Sequence, residues 1–217
     1  MRFEDWEPIY LEIIRDMGYE RVKDEYSASK LSEMLSGMDP SRIGSIDSLQ
    51  VLIKSKDVLV CGNAPTLKAD LDYIDLIDYC IIAADGATEV LMNKGIVPDI
   101  IVTDLDGAVE TEIEASRKGA IMVVHAHGDN IHVISQVLTR LYNIIGSTQA
   151  APLKNVYNFG GFTDGDRCVF LARGFGASSI TMIGFDFDDI NVSDIKKKKL
   201  NWARKLIEIA MEQNLDD

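Results

Sequence analysis

The rhythm of hydrophobic and polar positions changes near residue 55. Before that point, Ile9, Ile13, Ile14 and Met17 recur at three- and four-residue intervals. That spacing is the signature of a helix burying one face, and Gly18 supplies its stop. A second helix is predicted over residues 29–35, ended by Gly37 and Pro40. After residue 55 the apolar positions become continuous and short. Runs at 58–61, 80–84, 100–102, 120–124, 156–159 and 179–183 are each apolar on successive residues. Such runs are what a strand needs when both of its faces are covered.

Between these runs the period returns to that of helices, through Leu71 and Ile74, over Val90 and Leu91, and through Val133, Val137 and Leu141. A closing amphipathic helix is predicted from Ser193 through Leu200, Leu206 and Ile209. Alternating buried strands and helices imply an α/β fold. The expectation is an open, mostly parallel, Rossmann-like sheet with helices on both faces. Residues 1–54 are read as a helical N-terminal subdomain without chemistry of its own. Residues 55–217 form the α/β domain, which ends in the C-terminal helix.

Composition narrows the partners. The chain has 217 residues, 47% hydrophobic and 26% charged, which is ordinary globular usage. Its 35 acidic against 22 basic residues give a net charge of −13. That excludes a reader of the nucleic-acid backbone, which needs a basic face, but not a nucleotide ligand carried with a divalent metal. The Lys196–Lys199 run reads as a solvated helix face. Cys61, Cys80 and Cys168 lie in or beside apolar runs without metal spacing, as buried thiols in a reducing compartment do. No run approaches a membrane span, and the first residues, acidic and mixed, are unlike a signal peptide. The expectation is a cytoplasmic protein with no membrane or nucleic-acid partner. The acidic surface and the long last helix permit a homo-oligomer.

The candidate chemistry gathers where the predicted strands end. Residues 100–102 run into Thr103-Asp104-Leu105-Asp106-Gly107. Strand alternation would throw Asp104 and Asp106 to one side, where two close carboxylates repel unless a cation such as Mg²⁺ sits between them. The bland alternative is a turn rich in Asp and Gly. The Gly62-Asn63-Ala64 turn lacks the ending of a Walker A loop and the dinucleotide glycine pattern. It reads either as a phosphate site or as a turn capped by Thr66. Asp85 follows the second strand as a further carboxylate or a helix cap. His125 and His127 lack a third soft ligand for zinc, so phosphate contact or polar packing suits them better. Asp129 is either one more acid at the site or a cap. In the segment 159–167, Gly160 and Gly161 free the backbone, Asp164 and Asp166 can accept hydrogen bonds from a ligand, and Arg167 can meet phosphate. The alternative is a glycine-rich loop with a helix starting at Thr163. Asn158, Phe159 and Phe162 could bracket a flat heterocycle. In open parallel sheets ligands bind beyond the carboxyl ends of the strands, so these clusters should meet in one crevice.

Taken in order, these residues resemble a known pattern. Ala84-Asp85-Gly86-Ala87 and Pro98-Asp99-Ile100-Ile101-Val102-Thr103-Asp104-Leu105-Asp106-Gly107 are similar to motifs of thiamine pyrophosphokinases. The fuller set also contains residues 61–67, His125-Ala126-His127-Gly128-Asp129-Asn130 and the segment 159–167. It resembles the archaeal MptE-like 6-hydroxymethyl-7,8-dihydropterin diphosphokinases more closely, over about residues 55–190. The resemblance implies a Mg²⁺-dependent enzyme that moves the terminal diphosphate of ATP onto a pterin hydroxymethyl group and releases AMP. It implies Asp85, Asp104, Asp106 and Asp129 as metal ligands, the last three being catalytic. The Gly62-Asn63-Ala64 turn and Gly160, Gly161, Thr163, Asp164, Asp166 and Arg167 would then hold nucleotide or substrate. The segments at 125–130 and 159–167 depart from the thiamine pattern, which favours a pterin acceptor. Thiamine diphosphokinase, a metal-dependent sugar-nucleotide glycosyltransferase and a non-catalytic nucleotide sensor remain the rival readings. No general base is evident; Asp129 or Asp164 could orient the hydroxyl.

Overall fold

The computed structural model describes residues 1–212. Helix α1 (Phe3–Met17) ends at Gly18, whose φ of 71° is the left-handed stop the sequence predicts. Helix α2 spans Arg21–Ser36, eight residues further toward the N-terminus than the predicted start at 29. Helix α3 (Ile46–Ile53) was not among the predicted elements; Ser45 caps it by accepting from the Ser48 N–H.

The sheet then alternates with helices: β1 (Asp57–Cys61), α4 (Leu67–Asp70), β2 (Tyr79–Ala84), α5 (Ala87–Asn93), β3 (Ile100–Thr103) and α6 (Val109–Arg117). It continues with β4 (Ile121–Ala126), α7 (Ile131–Val137), β5 (Ile144–Thr148), β6 (Val156–Tyr157), α8 (Asp164–Gly174), β7 (Ser179–Ile183) and α9 (Asp194–Glu212). Strand β5 is the one the sequence hides. Only Ile144 and Ile145 are strongly apolar, and Gly146, Ser147 and Thr148 look like a turn, yet all five residues are buried. The helix predicted through Leu141 stops at Val137, and a 3₁₀ turn over Leu138–Arg140 carries the chain into β5.

The seven strands are all parallel, in the order β6-β5-β4-β3-β2-β1-β7. From β1 to β6 every step moves the same way along the sheet. Right-handed crossovers therefore put α4, α5, α6 and α7 on one face. The return from β6 to β7 runs the opposite way, so α8 must cross the other face, where it lies against β1, β2 and β3. Alternation within each strand feeds both layers. Leu59, Ile81, Ile101 and Met122 join the core under α2 and α4–α7. Val58, Ile82, Val102 and Val123 join the core under α1, α3, α8 and α9. The N-terminal helices thus pack on the main body from both faces of the sheet. Trp6 anchors α1 from full burial: its indole N–H donates to the Gln149 carbonyl at 2.9 Å and its ring meets Phe170 edge-on. Two consequences for the site follow. All strand ends open in one direction, and the order reverses between β1 and β7, the position at which such sheets part to form a crevice.

Candidate active site

The strand ends enclose a cleft of about 700 Å³, within the range of small-ligand sites. Its floor follows the strand order. Phe185 and Phe187 come after β7, Gly62 and Asn63 after β1, Asp85 after β2, Asp104 and Asp106 after β3, His127 at the end of β4 and Gln149 after β5. The start of α8, the α1–α2 turn and the first turns of α9 close over it.

Midway along this floor, one carboxylate oxygen each from Asp85, Asp104 and Asp106 lie within 4.8 Å of one another. The local cause differs from simple strand alternation. Strand β3 ends at Thr103, and the chain enters a tight turn with Leu105 at φ 64°. The side-chain oxygen Oδ1 of Asp104 accepts from the Asp106 N–H at 3.2 Å, which closes the turn and swings both acids inward. The Thr103 hydroxyl links the two strand ends, accepting from the Leu105 N–H at 2.8 Å and donating to Asp85 Oδ1 at 3.1 Å. Asp85 itself sits at φ 37°, and a side chain at Gly107 would come within 2.5 Å of its carboxylate. Two non-glycine residues in left-handed backbone beside one acid cluster are strain of the kind that marks a working site. Burying Leu105 to 1% exposure offsets it.

Strand β4 braces the cluster. His127 Nε2 lies 3.0 Å from Asp104 Oδ2, and Asn130 donates to the backbone carbonyls of both Asp104 and His125. Burial works against ionisation of Asp104, but the His127 bond and its charge outweigh it and hold the carboxyl below the ordinary range. Asp106 is driven the other way, to about 6, by burial and by the charges of Asp104 and Asp85. Burial and the Asp104 charge also raise Asp85 and, much further, Asp164. Behind them Glu112 is fully buried and pushed up to about 9 by burial and by Asp85. No lysine or arginine pairs with Asp85, Asp104 or Asp106 among the described residues. Three hard oxygen donors that repel one another, with no lysine or arginine paired to them among the described residues, match the donor chemistry of a divalent cation such as Mg²⁺.

Of the residues singled out from the sequence, Gly62, Asn63, Ala64, Asp85, Asp104, Asp106, Asp129, Thr163, Asp164 and Arg167 line the cleft. Asp129 stands outside the converging trio. Three others do not reach the cleft. Asp166 is fully buried and spends both oxygens on the N–H groups of Phe162 and Thr163 and on the Thr163 hydroxyl. That is a capping box at the start of α8, so Thr163 is the helix cap as read, and Asp166 completes it. Gly160 and Gly161, at φ 80° and 85°, are buried against Phe170 and Arg167 and shape the loop from behind. Thr66 makes no cap, and the α5 and α7 caps are Gly86 and Asn130 without a side-chain bond, so neither Asp85 nor Asp129 serves as one. His125 and His127 stack at 5.5 Å, but neither belongs to a converging ligand set among the described residues.

The cleft also recruits residues the sequence did not flag. Tyr19 and Lys23 come from the N-terminal helices, Gln149 from the hidden strand β5, and Phe185 and Phe187 from the β7–α9 loop. The lysine run divides by helical phase. Lys198 pairs with Asp16, and Lys197 reaches Asp194, whereas Lys196 and Lys199 line the cleft with no carboxylate partner among the described residues. Half-buried Lys199 is close enough for its charge to oppose the rise at Asp106. At the switch point, Gly62 and Gly184 let two backbones touch. A side chain at Gly62 would lie 2.6 Å from the Gly184 carbonyl, and one at Gly184 would lie 2.4 Å from the Gly62 carbonyl.

Comparison with known proteins gives the family. A family model described as 6-hydroxymethylpterin diphosphokinase MptE-like matches residues 34–192. A Pyrococcus furiosus protein named 6-hydroxymethyl-7,8-dihydropterin pyrophosphokinase is 43% identical over 221 residues, covering 96% of this chain and 94% of its own length. Proteins of the same name from Methanothermobacter thermautotrophicus and Methanocaldococcus jannaschii are each 40% identical. They cover 100% and 95% of this chain, and 97% and 95% of their own lengths.

Proposed function

The chain belongs to the MptE-like family of 6-hydroxymethylpterin diphosphokinases, and on that premise we propose how its cleft carries out the reaction. The protein is a diphosphokinase that transfers diphosphate to the hydroxymethyl group of 6-hydroxymethyl-7,8-dihydropterin, with ATP as donor and AMP as the second product. The convergence of Asp85, Asp104 and Asp106 carries the assignment of the reacting centre.

Asp85, Asp104 and Asp106 would hold Mg²⁺, and Asp129 lines the same cleft. The cation would supply charge neutralisation on the phosphate oxygens. The remaining work is positional. The acceptor oxygen attacks the β-phosphorus, the bond from that phosphorus to the oxygen bridging it to the α-phosphorus breaks, and AMP leaves with that oxygen. Little covalent chemistry is asked of the protein beyond alignment and electrostatics. Gly62, Asn63 and Ala64 at the β1/β7 switch point offer close backbone approach to the nucleotide. Lys196 and Lys199, cationic and without a carboxylate partner among the described residues, meet the polyphosphate charge that an acidic protein would otherwise repel. His127 keeps Asp104 ionised and fixed in orientation. Asp164 is raised by burial beside Asp104 and tied to Arg167 at 3.1 Å. Its place in the cleft wall suits it to orient the acceptor's hydroxyl.

The test is an incubation of purified protein with ATP, Mg²⁺ and 6-hydroxymethyl-7,8-dihydropterin, with thiamine as a parallel acceptor. One AMP per pterin diphosphate formed is expected, with no turnover of thiamine. ADP as the product, or AMP formed only with thiamine, would overturn the assignment.

A further inference from the structure

The end of the cleft away from the nucleotide turn carries polar groups that the reaction scheme leaves unused. His125 is 1% exposed, its Nδ1 lies 2.8 Å from the Ser147 hydroxyl, and its Nε2 has no partner among the described residues. Arg167 is equally buried; its terminal nitrogens serve Asp164, Gly161 and Phe162, and its Nε–H likewise has no partner among the described residues. Both residues line the cleft. Gln149 lines it too, and its orientation is fixed: the amide nitrogen donates to Asp24 Oδ2 at 2.8 Å, which leaves its oxygen as an acceptor. Asp24 is itself locked, accepting also from the Tyr10 hydroxyl and the Gly128 N–H. Over these groups the rings of Tyr19 and Phe162 lean together at 6.3 Å and 48°. Buried, unpaired polar atoms are costly, and in native proteins they are found where a ligand completes them.

We propose that this end, built by the α1–α2 turn and the ends of β4 and β5, is the acceptor subsite. There Tyr19 and Phe162 form an aromatic wall for a flat nitrogen heterocycle to pack against, and Gln149, His125 and Arg167 read its polar edge. The proposal rests on the diphosphokinase reading. Sheet order supplies the rest of the argument. Strand ends stand about 4.8 Å apart, so the floor is a ruler. The nucleotide turn lies at β7 and β1, the acid trio at β2 and β3, and His125 and Gln149 at β4 and β5. Displacement at phosphorus needs donor and acceptor on opposite sides of the reacting centre, and this order provides that arrangement. A pterin edge offers both ring N–H donors and carbonyl or imine acceptors. An amide oxygen, an imidazole nitrogen and a guanidinium N–H are complementary to such a mixture. The aromatic wall beside it adds apolar contact.

The experiment measures two affinities on the full chain without requiring turnover. Oxidised 6-hydroxymethylpterin is followed by its own fluorescence, and Mg²⁺ with an α,β-methylene analogue of ATP by calorimetry. Tyr19 is an exposed turn residue whose replacement leaves the core intact. Tyr19→Ala and Gln149→Met are expected to weaken the pterin at least ~10-fold and leave the nucleotide analogue within ~2-fold. Lys199→Gln is expected to do the reverse. If Tyr19→Ala weakens the nucleotide and spares the pterin, the two ends are exchanged and the proposal fails. If it changes neither, the heterocycle binds elsewhere and the proposal also fails. Turnover separates this from the assignment of activity. A wild-type protein that binds the pterin here, with the expected response to Tyr19→Ala, but releases no AMP would uphold the subsite and overturn the activity.

Discussion

Two turns of this protein have nearly the same composition and put their acids to opposite uses. The Thr103–Gly107 turn and the loop that leads through Thr163 to Asp166 each contain a threonine, two aspartates and glycine. In the loop, Asp166 finds two backbone N–H groups and a hydroxyl within 3.2 Å and disappears into the core as a cap. In the turn, the backbone gives only one N–H to Asp104, the Thr103 hydroxyl goes to Asp85, and the three acids face one another across the cleft. A carboxylate with enough donors is a structural part; one with too few keeps oxygens free for a ligand. Composition does not separate the two cases, because it counts acids and not the donors that reach them.

The largest test of this contrast is Asp104→Asn. Removing one ligand of the trio is expected to lower turnover at least ~100-fold, the scale of lost metal catalysis, while the thermal midpoint stays level or rises because a mutual repulsion is relieved. Unaltered turnover would return this turn to the structural class. The mirror experiment is Asp166→Ala. It strands the Phe162 and Thr163 N–H groups and removes the cap, so urea denaturation should report a loss of about 2–4 kcal/mol. Mg²⁺ affinity measured by calorimetry under native conditions should stay within ~2-fold of wild type. A fully stable variant that no longer binds metal would reverse the two assignments.

A subtler effect comes from pH. Burial and the charges of Asp104 and Asp85 push the Asp106 carboxyl up to about 6, and the proposed Mg²⁺ would bind its ionised form. Affinity should therefore be constant above about pH 7 and fall roughly tenfold per unit below 6, and Asp106→Asn should flatten that profile. In the metal-free protein the dependence has the opposite sign. A carboxyl raised in the folded state keeps its proton where the unfolded chain has lost it, so stability is greatest below about pH 4 and declines as pH rises through 6. Thermal melts across that range, with and without Mg²⁺, read both slopes. A metal affinity indifferent to pH would remove Asp106 from the ligand set.

Much of the fold was legible because burial leaves a one-dimensional trace. The runs at 58–61, 80–84 and 120–124 had to be covered on both faces, and a chain that alternates them with helices has few alternatives to a parallel sheet. The trace fails where burial comes from neighbours instead. Strand β5 has only two strongly apolar residues, and its Ser147 and Thr148 are buried because strands β4 and β6 and helix α2 surround them. Missing β5 also hid Gln149, and with it one end of the cleft.

The sequence by itself determined the class of fold, the buried state of the thiols and the acids at the strand ends, since each depends on residue type and near spacing. It also carried the family, because the motif residues stand in order along the chain. Only the tertiary structure decided which acids meet, which are satisfied and which lysines of one run face the cleft. It also brought Tyr19 opposite Phe162, 143 positions away in the chain. Those outcomes depend on donors and charges supplied by distant segments, and proximity of that kind exists only after the sheet has set its order.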